Sequence, residues 1–127
     1  MERLYTIEIE PEVRSWLESL PVKHYLKVEE YACLLAEQAA TLGEPYARYL
    51  GDGLRELRPT LDGASVRITY WLTPGRTAVL LTVFHKTKQH EDGEIQRAKL
   101  ARKTCMTEHG PAHEEFSRTF KEGNSSR

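Results

Sequence analysis

A chain of 127 residues with 18 Lys and Arg against 19 Asp and Glu has a formal charge of −1. Its length suits one domain that buries roughly two-thirds of the surface its unfolded form would expose, which excludes a second independent core. With only Cys33 and Cys105, no charged leader followed by an apolar stretch, and no apolar run longer than Ala78 to Phe84, a disulfide scaffold and a membrane span are also excluded. A reduced, soluble, cytoplasmic protein is expected. The near-zero total argues against a polyanion binder, but it hides an asymmetry. Residues 1–50 hold 5 basic and 9 acidic side chains, 51–107 hold 10 and 6, and 108–127 hold 3 and 4. An acidic first part followed by a basic second part suggests a surface turned toward a polyanion.

In chain order, Tyr5, Ile7 and Ile9 alternate as in a strand. Pro11 suits a first helical position, and Val13, Trp16, Leu17 and Leu20 then mark one helix face up to Pro21. Val28, Ala32, Leu35, Ala39 and Leu42 repeat at four-three spacing, which predicts a second helix over 22–42 stopped by Gly43. The two helices form an antiparallel hairpin with Trp16, Leu17, Leu20, Val28 and Leu35 in the core, and Glu44 to Gly53 is expected as the loop leading out. A meander follows, with strands over 54–61, 66–73 and 77–86 joined by Asp62-Gly63 and Pro74-Gly75 turns. Glu91, Asp92 and Glu94 ahead of Arg97, Lys99, Arg102 and Lys103 suit the dipole of a last helix over 91–106. Residues 1–107 are thus one α+β domain, and 108–127 a polar, frayed tail in which Phe116 and Phe120 are spaced for one helical turn.

The informative residues lie in the meander. Glu56, Arg58 and Thr60 share a face with Leu54, and Arg67, Thr69 and Trp71 share a face opposite Val66, Ile68, Tyr70 and Leu72. The apolar set must face the helices, so Arg67 and Trp71 are expected on the open face. Arg58, Arg67, Lys86 and Lys88 then form a four-cation cluster with an aromatic beside it, the residue types that phosphates and stacked bases need. The plainer alternative is a solvated face whose charges pair with Glu56 and its neighbours.

Three segments, Gly53-Leu54-Arg55-Glu56-Leu57-Arg58, Val66-Arg67-Ile68-Thr69-Tyr70-Trp71 and Val79 through Thr87, are followed by Glu94-Ile95-Gln96-Arg97-Ala98. In order and spacing they resemble the RelE/HigB-type toxins of bacterial toxin–antitoxin pairs, within the RelE/ParE superfamily and especially its phage-derived HigB-like branch. The resemblance covers residues 3–105 and implies an N-terminal strand, an antiparallel helix hairpin, a three-stranded antiparallel meander and a C-terminal helix. It also implies an mRNA endoribonuclease that acts on the ribosome without metal. The RNA's own 2′-hydroxyl attacks phosphorus, leaving a 2′,3′-cyclic phosphate, and this needs a base, an acid and cations around the phosphoryl oxygens.

By resemblance, Arg67 and Lys86 would stabilise the transition state, with Lys86 also a candidate acid. Arg58, Arg55, Lys88 and Trp71 would hold RNA, and Glu56 would act as base or orient Arg58 and Arg67. Where classical members carry a catalytic tyrosine, this chain has His90, Glu91 and Asp92. His85 and His90 are therefore candidates for proton transfer. Alternation sets His85 opposite Lys86. The expected partners are mRNA, the ribosome and a cognate helix-turn-helix, HigA-like antitoxin that docks on the acidic helix pair.

No motif implies a cofactor or a metal. Cys105, Glu108, His109 and His113 lack zinc-ligand spacing, and Gly110-Pro111 breaks the helix that would align the histidines. Gly51-Asp52-Gly53 is too short for a phosphate loop and reads as a turn. Two other functions stay open. One is a gyrase-type poison of the same fold, as in ParE toxins, and the other is a module that has lost catalysis and only binds.

Overall fold

The computed structural model describes residues 4–87, 91–108 and 114–115. Strand β1 (Thr6–Ile9) leads through Glu10 into α1 (Pro11–Glu18) and α2 (Val22–Gln38), followed by a 3-10 turn, Ala39–Thr41. Strands β2 (Ala47–Gly51), β3 (Leu54–Leu57), β4 (Thr60–Leu61), β5 (Ala64–Leu72) and β6 (Thr77–His85) precede α3 (Asp92–Glu108) and β7 (Glu114–Glu115). The fold is α+β, with the strand, helix hairpin, meander and C-terminal helix in the expected order.

The sheet runs β2-β3-β5-β6-β1-β7, with β4 pairing β5 off this path. Its pairings are antiparallel except β1 on β6, which is parallel and sets Thr6 opposite Thr77 and Ile9 opposite Leu80. The long β5–β6 hairpin is the spine, and the helix pair covers one face. There Val13, Leu17, Val28 and Leu35 pack with Val66, Ile68, Tyr70 and Leu80, while Trp16 and Leu20 close the margin half-buried. Helix α3 covers part of the other face through Leu54, Trp71, Val79, Leu81, Ala98 and Cys105.

Three expectations are corrected. Glu44 to Gly53 is not simply a loop. Its second part is β2, which pairs with β3 and sets Arg48 opposite Glu56. The second helix ends at Gln38 rather than Leu42, because Ala39 takes a left-handed φ of 31°. Ala39 and Leu42 stay buried nevertheless, through the 3-10 turn that follows. The run 54–61 breaks at Arg58-Pro59, since proline has no N–H for a ladder, and β5 pairs β3 and β4 separately. Asp62 and Gly63 make the hairpin turn at φ 51° and 82°, the left-handed pair that a type I′ turn requires.

In β6 the register moves from Thr69 opposite Thr82 to Tyr70 opposite Leu80, which makes Leu81 an extra, bulged residue. Of the expected tail, Glu108 closes α3 and Glu114–Glu115 pair antiparallel with β1. Phe116 and Phe120 lie outside the described residues. Among the described residues no helix is long and apolar enough to cross a membrane.

Candidate active site

Strand alternation on β3 and β5 brings Glu56 and Arg67 together on the face not covered by the helix pair. Both are nearly sealed, at 3% and 6% exposed. The Glu56 carboxylate Oε2 lies 3.5 Å from the Arg67 Nε and 3.8 Å from that of Arg58. Arg67 Nη1 donates to its neighbour's carbonyl, Val66 O, at 3.1 Å. Yet Glu56 Oε1 and Arg67 Nε, both buried, have no hydrogen-bond partner among the described residues. Buried polar atoms are seldom left so, and where they are the site usually has another use for them.

Cations ring this pair. Arg58, one residue past β3, is held 3.6 Å from Glu44. Arg48 on the edge strand sits 3.9 Å from the same carboxylate and faces Glu56 in register. At the far side Lys86 follows β6, its backbone N–H bonded to Ser65 O and its Nζ 2.9 Å from Glu91 Oε2. Thr69 and Thr82 share a 2.6 Å hydroxyl contact between the charged cluster and the apolar patch under α3.

The electrostatics follow from burial. Desolvation lifts the Glu56 carboxyl above its ordinary value; the Arg67 and Arg58 charges oppose this without cancelling it, and Glu91 adds to the rise. The Arg67 guanidinium is shifted down by desolvation and by Arg58, while Glu56 and Glu91 pull it back up. It remains a cation, as arginine does in proteins. The pair is thus a carboxylate readier to hold a proton than a surface one, next to a fixed guanidinium.

The other sequence candidates fall in different places. Trp71, expected on the open face, is only 6% exposed and lies under α3, where its Nε1 donates to Cys105 Sγ at 3.4 Å and Arg102 stacks on its ring. Coverage by α3 overrides what alternation alone allowed. Arg55 pairs in register with Tyr70, whose ring belongs to the helix-side core, and stacks on Tyr49 instead of joining Glu56. His85 is exposed and opposite Val66, away from Lys86 as alternation required. Lys88 and His90 lie outside the described residues. Cys105 is buried, and burial raises its thiol to about 11; His109 and His113 lie outside the described residues. Among the described residues no three His, Cys, Asp or Glu side chains gather as a metal site would need.

Two members of the cluster were missed or undervalued. Glu91 reads from the sequence only as an acid opening the last helix and as part of the tyrosine region, and it is the partner of Lys86. Arg48 was lost with β2. Its signal was present, because a Gly-Asp-Gly turn between Ala47–Leu50 and Leu54–Leu57 is also a hairpin pattern.

The sequence matches the family described as "Phage derived protein Gp49-like (DUF891)" over residues 15–104. One solved structure, the toxin–antitoxin complex RelBE2 from Mycobacterium tuberculosis, aligns at 24% identity with a TM-score of 0.49, covering 65% of this chain and 98% of that one. No curated protein matches the chain.

Proposed function

The chain belongs to the phage-derived Gp49-like family, and from that premise, with its resemblance to RelE-type toxins, we propose that it is a toxin and an mRNA endoribonuclease working at the Glu56–Arg67 cluster. What carries this function is a buried pair of polar atoms with no hydrogen-bond partner among the described residues, Glu56 Oε1 and Arg67 Nε, the second facing Glu56 Oε2 at 3.5 Å. One is an acceptor for a proton and the other a donor for a phosphoryl oxygen.

Glu56 takes the proton from the RNA 2′-hydroxyl as that oxygen bonds to phosphorus. Its raised pKa suits a base at neutral pH better than a surface carboxylate would. Arg67 and Arg58 neutralise charge on the non-bridging oxygens of the pentacovalent transition state. The bond from phosphorus to the 5′-oxygen then breaks, and Lys86, held by Glu91, donates a proton to that leaving oxygen. The products are a 2′,3′-cyclic phosphate and a 5′-hydroxyl. Arg48 extends the cation ring toward neighbouring phosphates. With a net charge of −1 the protein has little long-range attraction for free RNA. The ribosome, presenting mRNA in a fixed site, is the natural place of action.

The proposed partner is a helix-turn-helix antitoxin. Val22 and Leu26 lie four apart on α2 and are about half exposed, which offers an apolar foothold on the acidic helix pair. Co-expression with the product of the adjacent reading frame should restore growth, and Val22→Asp with Leu26→Asp should abolish that rescue.

The deciding experiment is to map RNA ends in cells expressing the protein. New 5′-hydroxyl ends in mRNA are expected, and they should disappear with Arg67→Lys, which keeps charge but loses the planar fork, and with Lys86→Ala. Growth arrest without new RNA ends, accompanied by trapped gyrase–DNA complexes, would replace this function with the gyrase-type poison. Stable protein with neither effect would leave a binding module.

A further inference from the structure

We propose a second RNA subsite at the opposite end of the sheet from Arg67, one that takes a nucleotide flanking the cut and therefore rests on the ribonuclease function above. The site is a cavity of about 340 Å³ lined by Tyr49, Gly53, Arg55, Leu72 and Arg102. That volume is at the lower end of small-ligand pockets, roughly 300–1,000 Å³, and suits one nucleotide.

Two features give it a ligand chemistry. Each arginine is laid on an aromatic ring: Arg55 Cζ is 5.3 Å from the Tyr49 centroid and Arg102 Cζ is 5.0 Å from that of Trp71. Neither guanidinium has a carboxylate partner among the described residues, and Arg102 Nε is buried with no hydrogen bond there. Guanidiniums fixed by stacking present their N–H edges in a set plane, the geometry that grips phosphate bidentately. The one acid at the turn, Asp52, is taken up by Lys99 at 3.1 Å and does not compete.

The turn itself is shaped around Arg102. Gly53 has φ +76°, and a Cβ there would stand 2.6 Å from Arg102 Nη2 and 2.9 Å from its Cζ. Only glycine lets the guanidinium lie against the chain. Gly53 N–H also donates to Tyr49 Oη at 3.0 Å, fixing a ring that stays 56% exposed. A cation pair for phosphate and an anchored, open aromatic for a base occur together, which is how single-stranded RNA is held. An acidic peptide would use only the first.

Leu72 is five residues beyond Arg67 along β5, about 16 Å at strand rise, and alternation turns it to the helix-side face, so RNA joining the two sites must also pass round the end of the sheet. A trinucleotide held at Glu56–Arg67 stops short of the pocket, and a longer single strand reaches both. The test is fluorescence anisotropy with 2′-O-methyl RNA, which lacks the attacking hydroxyl, as a trimer and an octamer. The octamer should bind wild type about tenfold more tightly, the size of one stacked base. That advantage should vanish in Arg55→Gln/Arg102→Gln and in Tyr49→Ala, while Tyr49→Phe and the charge control Lys27→Gln keep it, all with unchanged circular dichroism.

An octamer advantage that survives the double substitution, or that falls equally in Lys27→Gln, overturns the subsite. So does an affinity for oligo-glutamate, rather than RNA, that depends on the two arginines. The two functions fail separately. No mRNA cutting with an arginine-dependent octamer advantage removes catalysis and leaves the pocket, and cutting without that advantage does the reverse.

Discussion

Trp71 and Arg67 stand four residues apart on one face of the same strand, and they meet opposite fates. At the Trp71 end α3 lies over the sheet, and the indole is sealed among Leu54, Val79, Leu81, Ala98 and Cys105. At the Arg67 end the neighbours are Glu56, Arg58, Phe84, Lys86 and Glu91, and two buried polar atoms have no hydrogen-bond partner among the described residues. Alternation assigns both residues to a face; the helix above decides which part of that face becomes core. The division is marked by Thr69 and Thr82, whose hydroxyls satisfy each other, and by the bulge that places Leu81 with the apolar group. A sheet face can therefore be a stability element at one end and a reactive surface at the other.

The largest effect that sharpens this division is expected from Glu56→Gln. The amide keeps the shape and cannot take a proton, so cleavage on programmed ribosomes should fall by about 10²–10⁴. In the wild type the pH–rate profile should show its acid limb above the ordinary carboxylate value of 4.5, since the base must be ionised and burial raises its pKa. A limb at or below 4.5, or a fully active Gln variant, would make Glu56 a mere spacer for arginines. At the other end Trp71→Ala should cost about 3–5 kcal/mol of stability by urea melts. A loss below about 1 kcal/mol would mean that α3 does not seal that end.

Tyr70, on the helix-covered face of the same strand, provides a smaller test. Its ring is fully buried, its hydroxyl has no hydrogen-bond partner among the described residues, and burial pushes its pKa to about 12. Tyr70→Phe removes an unpaired polar atom and keeps the ring. It should stabilise the fold by about 1–2 kcal/mol. A destabilised variant would mean that the hydroxyl is satisfied and that this face is less uniformly apolar than its partners suggest.

Much of this was legible in the amino-acid order. The two-residue period of Val66 to Leu72 and the four-three spacing of Val28 to Leu42 are imposed by burial, so they survive in the sequence as pattern, and both sets line the helix-side core. The Glu56–Arg67 pairing was legible too, because it needs only two neighbouring strands with a known turn between them. Three things left no local trace. The burial of Trp71 depends on where α3 comes to rest, some 30 positions downstream. The bulge at Leu81 breaks the period within an apolar run, where either face accepts the residue. Strand β2 is an edge strand in which Arg48 and Tyr49 both stay exposed, so its sequence lacks the apolar alternation that announces a strand.

The smallest effect concerns what holds α3 in place and so keeps the two ends distinct. Glu12 on α1 accepts Val83 N–H at 3.0 Å, just beyond the last residue of β6 that β1 pairs, and receives both Arg97 Nη1 and Nη2, at 2.6 and 3.0 Å. Arg97 also reaches Glu94 on its own helix. One carboxylate thus caps a strand edge and ties α1 to α3. Burial pushes the Glu12 carboxyl up, but the Arg97 hydrogen bonds, the Val83 N–H and the Arg97 charge outweigh it and leave its pKa below 4.5. A depressed carboxylate stabilises the fold fully above its unfolded value and loses that contribution as pH falls through the folded one. The wild type should therefore lose about 1 kcal/mol, the scale of a part-exposed charged contact, as pH drops from 5 toward 3. In Glu12→Gln that stability should be missing at pH 7, and the decline below 4.5 should be shallower. Parallel melting curves for the two proteins across this range would show that α3 is held by its apolar contacts alone, with Trp71 and its neighbours sufficient to fix where the covered half of the sheet ends.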